Sequence, residues 1–222
     1  MLSLFAGISA GFIHVLAGPD HLAAIAPIAV ENRKSTWLIG FKWGLGHTAG
    51  VLLIGFLLIL FKNILPIEEI SSVSEKLVGF ILIAIGILGL RKSFSKKLHS
   101  HEHEHDGIKH VHFHSHSPNI EHEAPKSHLH KHVALGIGLI HGIAGSSHFL
   151  GVLPALALPS MLDSILYLTG FGVGTIAAMT LFSSLLGKTA DKLADKGLVL
   201  YRRLLISFCI TAIVIGGFWI FI

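Results

Sequence analysis

The sequence predicts an all-α polytopic membrane protein whose six transmembrane helices form two inverted three-helix repeats. Three observations predict it. The 222 residues are 52% hydrophobic and only 14% charged, with a mean hydropathy of +0.71, whereas soluble domains carry about 25% charged residues. The charges gather in short stretches, separated by apolar runs of the ~20 residues that a bilayer crossing needs. Finally, part of the first half returns in the second. Gly11-Phe12-Ile13-His14-Val15-Leu16-Ala17-Gly18-Pro19-Asp20-His21 aligns with Gly138-Leu139-Ile140-His141-Gly142-Ile143-Ala144-Gly145-Ser146-Ser147-His148 at an offset of 127. Pro27 and Pro154 continue that register, and Gly40-Phe41 and Gly44 match Gly170-Phe171 and Gly174 at an offset of 130.

The spans are read in order as residues 2–28, 36–61, 75–91, 133–158, 161–187 and 200–221. The first is expected to persist as a helix. No Lys or Arg precedes Arg33, so the positive region of a cleavable signal is missing. Residues 1–91 form the first three-helix repeat, 92–132 a histidine-rich loop, and 133–222 the second repeat. Loops on one side hold fourteen Lys and Arg, loops on the other hold two, and Lys42 lies inside a span. The positive-inside rule makes the rich side cytoplasmic. The expected placement is therefore a cell (inner or cytoplasmic) membrane, with both termini outside and the histidine loop cytoplasmic. An odd number of spans per repeat inverts the second copy, and such pairs place a substrate site near the midplane.

Several function classes drop out. The pI near 9.3 reflects basic residues at helix ends, so no nucleic-acid partner is expected. Cys209 is the single cysteine, which excludes a two-thiol redox mechanism. Gly187-Lys188-Thr189 resembles the tail of a phosphate-binding loop, but Phe182 stands where its first glycine belongs. The H-E-x-x-H string His101-Glu102-His103-Glu104-His105 falls inside the histidine-rich tract, where no apolar periodicity supports the helix that the metalloprotease signature needs, and no enzyme activity is expected. The pairs Gly7/Gly11, Gly40/Gly44, Gly46/Gly50, Gly138/Gly142 and Gly170/Gly174 are small-xxx-small signals for close helix packing.

Five histidines fall in apolar spans: His14, His21, His47, His141 and His148. Ionisable groups at membrane depth are costly and mark ion or substrate paths. On an unbroken helix the Cα atoms of His14 and His21 would lie ~10.5 Å apart, too far for one ion. Gly18-Pro19 offers a break, since proline lacks an amide donor and disfavours helix at the residue before it. The break would place Asp20 at a helix N-terminus, where the dipole favours an anion. Imidazoles suit nickel, cobalt, zinc and copper, and a carboxylate adds charge compensation. His14, Asp20, His21, His47, His141 and His148 are thus the candidate metal ligands.

Residues 99–132 contain twelve more histidines. His99, His101, His103, His105, His110, His112, His114 and His116 form the densest tract and are candidate ligands of lower affinity. No apolar periodicity is evident there, so the segment is expected to be mobile when metal-free.

At His14-Val-Leu-Ala-Gly-Pro-Asp-His21, Lys42-Trp-Gly-Leu-Gly-His47-Thr and Leu139-Ile-His-Gly-Ile-Ala-Gly-Ser-Ser-His148, the chain resembles the nickel/cobalt transporter superfamily. It looks most similar to the small nickel permeases linked to urease accessory proteins. The resemblance implies uptake of Ni2+ or Co2+ as substrate, with no resident cofactor, and binding of the ion by His14, Asp20 and His21. Five residues separate His14 from Asp20 here, where that family's hallmark has four. The expected partners are a divalent metal ion and the lipid bilayer; a homo-oligomer and a cytoplasmic metallochaperone at the loop stay open. The alternatives are proton-coupled efflux of nickel, cobalt or zinc, a membrane metal-buffering or sensing protein, and a haem-binding protein.

Overall fold

The computed structural model describes residues 1–32, 35–61, 67–94, 98–105, 108–115, 127–144, 151–155 and 157–221. Its membrane body is all-helical. The first apolar run forms α1 (Leu2–Ala17) and α2 (Pro19–Glu31). They are followed by α3 (Thr36–Phe61), α4 (Ile67–Ser93), the strands β1 (Leu98–His105) and β2 (Ile108–Ser115), α5 (Ser127–Ile143), α6 (Met161–Lys196) and α7 (Leu198–Phe221). A short helical stretch covers 151–155.

Among the described residues, four helices are long and apolar enough to cross a bilayer alone, and a fifth span results when α1 and α2 are taken together. The two expected spans that are not single helices are the two that carry the repeated motif. In the first, Gly18 takes up extended backbone (φ −90°, ψ 100°) and the halves bend by 72°. Pro19 forces that break and then fits the first position of α2, where no amide is needed. In the other, α5 ends at Ile143, two residues before Gly145, the counterpart of Gly18, and residues 151–155 are helical.

The expected span 161–187 is the front of a longer helix. At 36 residues, α6 measures ~54 Å, well beyond the ~30 Å hydrocarbon core. Its surplus is the charged end with Lys188, Asp191, Lys192, Asp195 and Lys196, closed by Gly197 at φ 135°. Ser3 Oγ donates to Asp163 Oδ1 at 2.6 Å, so α1 and α6 begin on the same side. Glu31 pairs with Lys92, and the Tyr201 hydroxyl donates to the Val30 carbonyl at 3.3 Å. The ends of α2 and α4 and the start of α7 are thus neighbours, as the alternation of charged loops requires.

All five expected glycine pairs lie in helix seams. A Cβ on Gly7 or Gly11 of α1 would overlap the carbonyls of Tyr167 and Phe171 on α6; on Gly170 or Gly174 it would overlap those of Leu4 and Ile8. The α3–α5 seam repeats the pattern, with Gly46 and Gly50 against Leu135 and Leu139, and Gly138 and Gly142 against Trp43 and His47. Gly40 and Gly44 face Met179 and Ile176 in the α3–α6 seam. A further seam joins α4 to α7, where Gly79 and Gly216 each face the other's carbonyl. Helices in lipid gain little from burying apolar side chains against one another, so backbone approach at small residues holds them. The outer surface is apolar: Phe56, Phe80, Leu185, Val214 and Phe218 are each more than half exposed, a belt suited to acyl chains and a liability in water.

Candidate metal site

The break at Gly18 folds the first motif onto itself. His14 lies in the last turn of α1, and Asp20 and His21 lie in the first turn of α2. The imidazoles that a straight helix would hold far apart meet, with His14 Nε2 and His21 Nε2 separated by 3.1 Å. From the other half of the chain, His141 in the last turn of α5 donates from Nε2 to Asp20 Oδ2 at 2.9 Å. From α3, His47 brings its ring to 5.0 Å from that of His21 and 5.7 Å from that of His14. Asp20, His21, His47 and His141 are each at most 3% exposed; His14 is half-buried and forms the accessible edge of the cluster.

Asp20 organises this centre. An ionised carboxylate only accepts, so His21 donates from Nδ1 to Oδ1 at 3.0 Å while His141 donates to Oδ2. Neutral His21 then has its lone pair on Nε2, the nitrogen that faces His14. A carboxylate that fixes the ring nitrogen not bound to metal is the usual support of a metal-ligating histidine. Two overlapping groups have all their ligand atoms within 4.8 Å of one another: His14, His21 and His47, and Asp20, His21 and His141. Metal–nitrogen bonds of about 2.1 Å hold nitrogens at most ~4.2 Å apart, so the most widely separated imidazoles need to close by at least ~0.6 Å if they start at the 4.8 Å limit.

Of the membrane residues expected at the site, His14, Asp20, His21, His47 and His141 converge. His148 lies outside the described residues. In the loop, His99, His101, His103, His105, His110, His112 and His114 fall on β1 and β2, and His116 lies outside the described residues. The two strands pair antiparallel, from Leu98 opposite Ser115 to His105 opposite Ile108. Histidine, not an apolar residue, carries the period of two.

Two aromatic walls were not singled out from the sequence. Trp43 stacks on His47 with ring centroids 5.0 Å apart and planes within 10°, and lies 5.6 Å from His21 and 5.3 Å from His141. Phe171 of α6 stands 5.4 Å from His14. The i, i+4 spacing of Trp43 and His47 puts them on one helix face, and that signal was available from the sequence.

A family profile described as the cytochrome C biogenesis protein transmembrane region matches residues 5–218. Chloroplast protein FOR GROWTH AND FERTILITY 1 of Arabidopsis thaliana is 33% identical over 200 residues, 88% of this chain and 52% of that protein. Chloroplast protein FOR GROWTH AND FERTILITY 2 of the same plant is 30% identical over 197 residues, 88% of this chain and 50% of that protein. The chain thus spans about half the length of these two relatives. Urease accessory protein UreH of Bacillus sp. (strain TB-90) is 33% identical over 196 residues, 82% of this chain and 74% of UreH. No solved structure matches significantly.

Proposed function

The chain belongs to the family of cytochrome c biogenesis transmembrane regions, and from that premise we propose that it carries a divalent transition-metal ion, nickel or cobalt first, across a membrane. One observation carries the reading. Four histidines and an aspartate from four helices converge, nearly all buried, where a membrane helix is broken. Packing alone gives no reason to place five ionisable groups together at membrane depth. The likeness to UreH, a urease accessory protein, supports a metal-transporter-like branch of this broad family. Cys209, buried and the single cysteine, gives no basis for a dithiol relay within this chain.

His14, His21 and His47 are the ligands of the ion in transit. Asp20 holds His21 and His141 in register and offsets part of the dication's charge. His148, the counterpart of His21, is proposed as a further ligand from the second repeat. Imidazoles at hydrogen-bond distance suit a single ion better than a haem, which would have to part them. The two motifs belong to inverted repeats, 1–91 and 133–222, flanking the loop 92–132. The seams support that relation: exchanging the repeats turns the α1–α6 seam into the α5–α3 seam and maps α4–α7 onto itself. The basic ends of α4, α6 and α7 are assigned to the cytoplasm by the positive-inside rule, and the ion moves inward.

The deciding experiment is uptake into proteoliposomes of nickel, cobalt, zinc and manganese, side by side. Nickel or cobalt flux that disappears in the His21→Ala protein is expected. Flux of none of the four metals above that of empty vesicles would overturn the reading.

A further inference from the structure

From the metal site toward the basic ends of the helices, α3 and α6 run side by side in opposite directions. Thr48 meets Gly172, Gly44 meets Ile176, Gly40 meets Met179 and Ser183, and Thr36 meets Gly187. The seam thus extends from the level of His47 to the first residue of α3. Along it α6 carries Thr175, Met179, Ser183, Gly187 and Asp191, a row at intervals of four residues that forms one ridge of a helix. The row begins one turn beyond Phe171, whose ring stands beside that of His14, and ends in a carboxylate within the charged end of α6. The short helix α2 shares this core, where Ala23, Ala24, Ile39 and Met179 are buried together. Thr175 and Ser183 differ from the other hydroxyls of α6. Ser164, Thr169, Thr180, Ser184 and Thr189 each donate to the carbonyl four residues earlier, a common way for a helix to satisfy a hydroxyl. None of these is buried. Thr175 and Ser183 are 0% exposed, yet their hydroxyls have no hydrogen-bond partner among the described residues. An unpaired buried hydroxyl is costly and calls for a reason.

On the transport reading, on which this inference rests, we propose that the row is the route by which the ion leaves the histidines for the basic side of the molecule, with the Thr175 and Ser183 hydroxyls as its successive oxygen ligands. An ion between the imidazoles and the water beyond α6 needs oxygens in place of its hydration shell. The two hydroxyls stand eight residues apart, ~12 Å along the helix, so they serve the ion in turn, with water completing each shell. A neutral hydroxyl holds nickel or cobalt less tightly than an imidazole does. That difference is what release requires, since passage needs sites favourable enough to enter and weak enough to leave. Asp191, half-buried one turn beyond Gly187, sets a negative charge at the mouth of the route, between Lys188 and Lys192.

The test separates passage from binding and from packing, in the full-length protein. Thr175→Val/Ser183→Ala removes both hydroxyls and leaves the packing volume nearly unchanged. Neither hydroxyl makes a hydrogen bond within the protein, so the thermal midpoint of the double variant in detergent should hold or rise. Neither belongs to the histidine centre, so a nickel titration should return the affinity of the unaltered protein. Nickel flux into proteoliposomes should nevertheless fall by at least about tenfold, the loss expected when a charge in an apolar setting gives up one polar contact. Thr175→Ser, which keeps a hydroxyl at that position, should keep its flux. Flux at the unaltered rate in the double variant would overturn the route and leave the transport reading standing. Absence of nickel flux in the unaltered protein would instead sink the transport reading, and the route with it. A lowered midpoint, or lost nickel binding, in the double variant would assign the hydroxyls to packing or to the histidine site and would likewise overturn the route.

Discussion

Asp20 is the residue on which most depends. It accepts from two histidines on different helices, and only a carboxylate can do so through both oxygens without an adverse N–H. In Asp20→Asn the amide nitrogen faces one of those donors, and the support of His21 or His141 fails. Outer partners of metal-binding histidines are typically worth 10–100-fold in affinity. Nickel affinity of the purified Asp20→Asn protein should fall by about that factor while far-UV circular dichroism stays unchanged. Unaltered affinity would remove Asp20 from the centre. Acidification should act in the same direction, because a protonated imidazole is no ligand; binding titrations at descending pH should weaken steadily. Which residues converge was largely legible in the sequence. Histidines in apolar runs are costly, and the 127-residue offset duplicates two of them. Trp43 and Phe171 were harder to see, because aromatics in membrane helices are ordinary and only the fold brings these two against imidazoles.

At the scale of elements, the break between α1 and α2 was legible because proline has one structural reading there. The β1–β2 ribbon was not, because strands are sought through apolar alternation, and here the alternating residue is histidine. The length of α6 was hidden as well, since its charged end looked like a loop. The break makes its own prediction. Gly18→Ala/Pro19→Ala permits a continuous helix, on which His14 and His21 stand ~10.5 Å apart. Helix content should hold or rise while metal binding is lost, and circular dichroism with a nickel titration reads both. Retained binding would mean that the bend is incidental. The seams predict the opposite outcome. In Gly11→Leu the added side chain meets the backbone of Phe171, and overpacking typically costs 1–3 kcal/mol. The thermal midpoint in detergent should drop, without regard to metal. Deleting residues 98–115 should spare both helix packing and residual flux, and change only the apparent affinity; complete loss of flux with normal insertion would place the ribbon in the pathway.

For the whole molecule the question is what drives the ion. Moving a dication through 100 mV is worth ~4.6 kcal/mol, roughly a 2000-fold accumulation at 1.4 kcal/mol per tenfold. Entry into a negative interior therefore needs no second ion. An inside-negative potassium diffusion potential should accelerate nickel entry into proteoliposomes. Flux that ignores voltage and follows an imposed proton gradient would replace this picture with a proton-coupled exporter. The glycine seams bear on how such a passage operates. They hold α1 against α6, α3 against α5 and, at Gly40 and Gly44, α3 against α6 at backbone contact. His14 stands on the first of these pairs and His47 and His141 on the second, while Asp20 and His21 stand on the short helix between them. On the proposed reading the ligands therefore belong to one braced frame, and the ion meets a socket whose walls are set before it arrives.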